Sequence, residues 1–304
     1  MTSTASSVSS EQVDFSALLP QNLDQVIQGW LSDDIPSFDV GGLVVGMEEK
    51  KAKLLMKSTG AFAGKPFFER VFTLLGCTVE WEDGIAIEGD HKQININDDE
   101  KICLAIVSGP VRNILRGERT ALNTISRCSG VATLSRVASD RAKSLGWEGY
   151  VAGTRKTTPG FRIVEKYGLL IGGAATHRLD LSQMVMLKDN HIWSCGSIEK
   201  AVKLARKAAG FSQKIEVECQ SLEDAIEAAT HGADIVMLDN FEPDQLRKDA
   251  ETFKNKFPHV LVEASGGITT ETMPDYLCKY VDIVSQGKLT QGYPCVDYSL
   301  KIIH

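Results

Sequence analysis

Six short apolar runs in this chain end in side chains or glycines that could do chemistry. Arg155 and Lys156 follow YVAG, Lys188 ends MVMLK, Glu218 ends KIEVE, Asp239 ends DIVMLD, Ser265 with Gly266 and Gly267 ends VLVEASGG, and Gly287 follows DIVSQ. A guanidinium such as Arg155 grips a carboxylate through two parallel hydrogen bonds, whereas the Lys156 ammonium is a compact charge suited to phosphate. Glu218 and Asp239 could bind sugar hydroxyls, hold Mg2+ through oxygen ligands, or stabilise developing positive charge. Glu216, two residues before Glu218, shares its side of the strand and is a further inward acid. Ser265, Gly266 and Gly267 before a helix, and Gly287 one strand later, offer free backbone amides of the kind that cradle phosphate. Blander roles stay open for each group alone: a solvated loop pair for Arg155 and Lys156, structural ion pairs for Glu218 and Asp239.

The cations are also clustered. Between Gly153 and Asn190, Arg155, Lys156, Arg162, Lys166, Arg178 and Lys188 stand against Glu165, Asp180 and Asp189, in a chain of formal net charge -7. A cationic island in an acidic chain suits a small, strongly anionic ligand. His177 and Arg178 belong to the island, and no second His falls at metal-ligand spacing. Lys188, at the end of a strand apolar enough to be buried on both sides, needs an anionic partner. Together these groups ask for a ligand with carboxylates, a sugar and several phosphates.

The elements that must hold them read as an α/β barrel. From Gly149 onward, continuous apolar strands alternate with amphipathic helices at Ile198 to Ala209, Leu222 to Thr230, Pro243 to Phe257 and Thr270 to Tyr280, which implies a parallel sheet covered by helices. Six successive strands all ending in site chemistry favour a barrel, whose strand ends share one mouth, over an open sheet with a single crevice. The expectation is an incomplete, about six-stranded parallel barrel over 117–293. An N-terminal α+β open sandwich is expected over 13–116, with 294–304 returning to it. There, Asn22 caps a helix from Leu23 to Leu31, Pro66 opens one to Leu75, and strands cover Gly42 to Met47, Ala52 to Lys57, Cys77 to Trp81 with Ile85 to Glu88, and Lys101 to Val107. Pro110 opens a long helix through Leu145. Residues 1–12, nearly devoid of apolar bulk, are expected to be flexible.

Composition removes several classes of function. A hydrophobic share of 43% and a charged share of 24% are ordinary for a globular enzyme, and 304 residues suffice for a large core. The acidic balance speaks against nucleic acid as a partner, and no apolar run reaches the length of a membrane span. Seven Cys without a CxxC pair form neither a disulfide framework nor a recognisable zinc site. Reduced thiols and the absence of a signal or transit pattern point to the cytoplasm, with the nucleus also accessible.

In the order GERTALN, GTRKTTPGFR, THRLDLS, MLKDNHI, EVEC, MLDN, EASGGI and SQGKLT, the motifs from Gly117 to Thr290 resemble those of the quinolinate phosphoribosyltransferase family. The resemblance implies transfer of a phosphoribosyl group from phosphoribosyl pyrophosphate to quinolinate with loss of CO2, in the presence of Mg2+. It places Arg155, His177, Arg178 and Lys188 on the quinolinate carboxylates, with Arg119 reaching in from a neighbouring subunit. Lys156, Glu218, Asp239, Ser265, Gly266, Gly267 and Gly287 would hold phosphoribosyl pyrophosphate. Lys156, Lys188, Glu218 and Asp239 would be the catalytic set, and Glu218 and Asp239 the candidate Mg2+ ligands. Arg119 acting in trans implies a homodimer at least, with a hexameric trimer of dimers open. Gln183 departs from the pattern, which has an acid after the LS pair. An acceptor such as nicotinate, or a metabolite-binding protein without turnover, would fit the same scaffold.

Overall fold

The computed structural model describes residues 13–95 and 100–303; the expected flexible start, 1–12, lies outside the described residues. In chain order the elements are α1 (Leu23–Asp34), α2 (Val40–Val45), β1 (Glu49–Met56), β2 (Gly60–Ala61), α3 (Lys65–Leu74), β3 (Thr78–Trp81), β4 (His91–Lys92), β5 (Ile102–Pro110) and α4 (Val111–Ser144). Then follow β6 (Tyr150–Ala152), α5 (Arg162–Ile171), β7 (Val185–Leu187), α6 (Asp189–Cys195), α7 (Ile198–Ala209), β8 (Ile215–Cys219), α8 (Leu222–Thr230), β9 (Ile235–Asp239), α9 (Pro243–Lys256), β10 (Leu261–Ser265), β11 (Ile283–Ser285) and β12 (Tyr298–Ile302).

The six strands β6 to β11 form one parallel sheet in the order β6-β11-β10-β9-β8-β7, so the incomplete six-stranded barrel is present. Strands β6 and β7, successive along the barrel, occupy opposite ends of that order, and Ala175 bridges back to Ala152 beside β6. Val217, Val236, Val262 and Val284 fill the core without exposure. Burial on both faces is why these strands read as continuous apolar runs. The N-terminal sheet has the order β12-β1-β5-β3, with β12 antiparallel to β1 in the register Leu54↔Leu300. The C-terminal segment therefore completes the sheet begun at the other end of the chain.

Helix α4 ties the two sheets together. Its 34 residues span about 50 Å at 1.5 Å per residue. Ile114, Ala121 and Ile125 pack into the core of the N-terminal sheet, whereas Val131, Ala138 and Ala142 pack into that of the barrel. Helix α5 crosses it closely. A Cβ on Gly168 would lie 2.8 Å from the Cys128 carbonyl oxygen, and one on Gly172 would lie 2.4 Å from that of Ala132. The two glycines, one helical turn apart, fix how deeply α5 sits.

Four local expectations are corrected. Gly42 to Met47 is not a strand: Asp39 accepts a hydrogen bond from the Gly42 amide at 2.8 Å and starts α2. Asn22 precedes α1 without a side-chain capping bond. Ile85 to Glu88 is a turn, in which the Glu88 carboxylate accepts from the Gly64 and Lys65 amides at the start of α3. Thr270 to Tyr280 shrinks to a 3-10 turn at Met273–Asp275, because Pro274 disfavours the α conformation at the residue before it.

Candidate active site

The strand ends of the barrel surround a cavity of about 580 Å³. Arg155, Lys156, His177, Arg178, Lys188, Glu218, Asp239, Ser265, Gly266, Gly267 and Gly287 all line it. Arg119 does not; it is exposed on α4. Asn240, which with Asp239 closes the DIVMLDN run, also lines it, and Met186, Met237 and Glu263 join the lining without having been singled out from the sequence.

On the cationic side, Arg155 and Lys156 sit in the loop after β6. Thr290 Oγ1 donates to the Lys156 carbonyl at 2.8 Å, which ties that loop to the segment that follows β11. Lys188 is half-exposed instead of buried, since β7 ends one residue before it, but the expected anionic partner is there: its ammonium pairs with Glu218. That pair joins the two chemistries of the mouth. Arg178 lies close enough to Arg155 that burial and the like charge pull its pKa below the ordinary value.

His177 adopts φ 55, one of two non-glycine residues with positive φ among those described; the other is Asn240 at φ 59, and both line the cavity. Local strain of this kind persists only where the surroundings over-determine it. For His177 they do. Its Nδ1 accepts from the Arg178 amide at 2.9 Å, and its Nε2 lies 3.0 Å from Glu263 and 3.6 Å from Glu216 on the barrel floor. Burial opposes a charge on this ring, but the hydrogen bonds and charges of Glu216 and Glu263 outweigh it and raise the pKa to about 10. The Arg178 amide opposes a second proton, because a proton on Nδ1 would meet its N–H head-on. In either form Nε2 carries a proton and donates to Glu263.

Glu216 and Glu263 are fully buried, and burial followed by the charge of Glu263 pushes the Glu216 carboxyl upward. Both Glu216 oxygens and Glu263 Oε1 lack a hydrogen-bond partner. In composition, His177, Glu216 and Glu263 could hold a metal ion. The proton on Nε2 argues against it, since a ligating ring needs its lone pair at that nitrogen.

On the other side of the mouth the backbone does the shaping. Gly266 has φ +104, and a Cβ there would fall 2.4 Å from Asn240 Oδ1 and 2.6 Å from the Asn240 nitrogen. A Cβ on Gly287 would meet Lys156 Cδ at 3.2 Å. Burial and then the Glu218 charge raise the Asp239 pKa, while Lys188 and Lys156 lower it. Two hard carboxylates crowding one another favour a cation between them, so this donor set fits Mg2+.

Sequence had a signal for the missed floor acid Glu263, namely an acid inside the buried run VLVEAS two residues before Ser265. Gln183 Oε1 accepts from the Leu179 amide at 2.8 Å, so the departure from the family pattern retains a local hydrogen bond.

A six-stranded α/β barrel, with guanidinium and ammonium groups facing carboxylates and glycine turns across one mouth, defines a transferase-type site for a ligand that is acidic at both ends. The chain belongs to the quinolinate phosphoribosyl transferase family. It matches the family's N-terminal domain over residues 39–129 and its C-terminal domain over residues 131–301, the junction falling inside α4. It is 50% identical over 285 residues to the carboxylating nicotinate-nucleotide pyrophosphorylase of Rattus norvegicus, covering 94% of this chain and 92% of that one. To the Dictyostelium discoideum protein of the same name it is 50% identical over 300 residues, covering 95% and 99%. Among solved structures it is similar to NadC from Streptococcus pyogenes, with TM-score 0.83, 33% identity and coverage of 96% and 100%.

Proposed function

We infer that this chain transfers the phosphoribosyl group of phosphoribosyl pyrophosphate to quinolinate and releases pyrophosphate and CO2, forming nicotinate mononucleotide. The observation that carries the reading is the joining of the two halves of the mouth by the Lys188–Glu218 pair. Arg155, Arg178 and Lys188 bind the two quinolinate carboxylates. His177, with both ring nitrogens engaged, contributes through the Arg178 amide it holds. Lys156 takes the phosphate charge, beside backbone amides of the Ser265–Gly267 turn and of Gly287.

The quinolinate nitrogen forms a bond to the ribose anomeric carbon as the bond from that carbon to pyrophosphate breaks. Positive charge develops on the sugar, and Glu218 and Asp239 face it. Mg2+ held by these two carboxylates would supply charge neutralisation for the leaving pyrophosphate. The alkylated ring nitrogen is then cationic, so the bond to the adjacent carboxylate breaks, its electron pair stays on the ring carbon, and a proton replaces CO2. For that step the protein orients the carboxylates and excludes water, and no nucleophilic side chain is required.

Quinolinate-dependent CO2 release, with phosphoribosyl pyrophosphate and Mg2+ present, tests this. Arg155→Ala should lower kcat/KM by about 1,000-fold, since it removes a two-point charged contact, while the melting temperature holds. Retained turnover in that variant would sink the assignment, and faster turnover of nicotinate than of quinolinate would move it to a monocarboxylate acceptor. For assembly, the exposed position of Arg119 fits a role in the site of a second copy, which makes the working unit at least a homodimer. Mixing inactive Arg119→Ala with inactive Lys156→Ala protein should restore turnover; no recovery would place Arg119 outside the site. No described helix is long and apolar enough to cross a membrane, and the cytoplasm is our proposal for its location.

A further inference from the structure

Helix α5 buries a charged pair that neither the strand-end motifs nor the reaction as derived accounts for. Glu165 and Lys166 are 0% and 1% exposed, in a helix that otherwise buries apolar side chains against α4. Each reaches a different loop of the cationic side. Glu165 accepts from the Thr158 amide at 2.8 Å and the Thr158 hydroxyl at 2.7 Å, in the loop that carries Arg155 and Lys156, and from Tyr293 Oη at 3.0 Å. Lys166 Nζ donates to the carbonyl oxygens of Thr176 and Arg178, at 3.1 Å for the latter, and so clasps His177 from both sides.

The charge on Lys166 is the unusual part. Both of those acceptors are neutral carbonyls, and Glu165 is committed to Thr158 and Tyr293. The charged groups facing the ammonium are Arg162 on its own helix, Arg155 in the loop after β6, Arg178 in the loop before β7, and Glu165. A buried ammonium among three guanidiniums is costly unless an anion completes the site.

We propose that Glu165 and Lys166 are positioning residues that set the spacing of the two arginine-bearing loops, and that the Lys166 ammonium, buried behind the cavity wall, adds a further charge to the dicarboxylate site beside Arg155, Arg178 and Lys188. This rests on the functional reading above. Lys166 acts on quinolinate alone, whereas Glu165, holding the loop shared by Arg155 and Lys156, acts on both substrates. Burial, followed by the charges of Arg162, Arg155 and Arg178, lowers the Lys166 pKa to about 8. The protonated form is the one that attracts the anion, so quinolinate affinity should fall as pH rises through about 8.

Calorimetric binding of quinolinate to the full chain, together with steady-state KM for both substrates between pH 7 and 9, tests the proposal. Lys166→Met should weaken quinolinate binding about 100-fold, leave the KM for phosphoribosyl pyrophosphate within about threefold, and abolish the pH dependence. Glu165→Gln should raise both KM values by about tenfold. The affinity profile of the unaltered chain needs no variant, and a flat profile across pH 8 overturns the buried-charge role even if Lys166→Met does not fold. Equal weakening of both substrates in Lys166→Met would reduce the residue to a general structural role and overturn the proposal. If the unaltered chain binds no quinolinate, the functional reading itself falls and the proposal with it. If that chain binds quinolinate and Lys166→Met binds it equally well, the proposal alone falls.

Discussion

The two rims of the mouth are made of different material. The cationic rim, Arg155, His177, Arg178 and Lys188, is a set of side chains held by other side chains: Glu165 and Lys166 from α5, and Glu216 and Glu263 from the barrel floor. The opposite rim is mainly backbone, with Gly266 pressed against Asn240, and Gly287 leaving room for Lys156. A side-chain rim recognises charge, and its geometry can be shifted by a neighbour's proton or by one lost hydrogen bond. A backbone rim presents amides that do not titrate, and only a steric intrusion can spoil it. That division matches the proposed ligands, since planar carboxylates suit guanidinium forks and phosphates suit amide cradles.

The largest effect should come from the one contact that belongs to both rims. Lys188→Met removes the partner of Glu218 and a positive charge that holds the Asp239 pKa down. Removing one partner of a fully buried pair costs about 3–5 kcal/mol, and the half-exposed Lys188 should fall below the top of that range. We expect kcat/KM to drop by roughly 100- to 1,000-fold for both substrates. A loss confined to one substrate would mean that the rims work independently, and would break the comparison at its seam.

Most of the barrel was legible because its signals are redundant. Each strand is mainly apolar and each leads into polar residues or glycines; in the structure α7 and α8 between them are capped by Ser197 and Ser221, whose hydroxyls accept from the Lys200 and Asp224 amides. The strand-end residues could therefore be placed on one mouth without any side-chain geometry. What supports them was not legible. Glu165 and Lys166 read as two more charges in a cationic stretch, because sequence shows a charge but not whether α5 turns it to solvent or to the core. That orientation depends on Gly168 and Gly172 docking α5 against α4. The N-terminal region was harder for a related reason: Gly42 to Met47 is apolar enough to pass for a strand, and only the Asp39 contacts to Gly42, Arg112 and Arg116 show why it coils. Tertiary partners decided there, as they commonly do in short segments.

On the backbone rim the expected effect is smaller and confined to one substrate. Gly266→Ala places a methyl group against the Asn240 backbone at a φ of +104, a conformation that alanine rarely adopts. Such strain costs of order 1–3 kcal/mol, and here it should appear as a displaced turn. The KM for phosphoribosyl pyrophosphate should rise about 10- to 100-fold, while calorimetric affinity for quinolinate stays unchanged. If quinolinate binding weakens in parallel, the glycine turn supports the cationic rim as well, and the division into two materials is wrong.

The smallest effect should be at Gln183, where the chain departs from its family pattern. A carboxylate and a carboxamide both present an oxygen to the Leu179 amide, and Gln183 already uses its own at 2.8 Å in an exposed loop. Gln183→Glu therefore exchanges one acceptor for another with the second polar atom of either group facing solvent, which limits the stability change to about 0.5 kcal/mol. What it adds is a negative charge on the segment that follows Arg178. If the cationic rim is a charge-recognising surface, that acid should raise the KM for quinolinate by less than about threefold in dilute buffer, with the effect vanishing as added salt screens an exposed charge. A salt-independent effect, or a change of melting temperature beyond about 3 °C, would show that position 183 acts through the geometry of the loop.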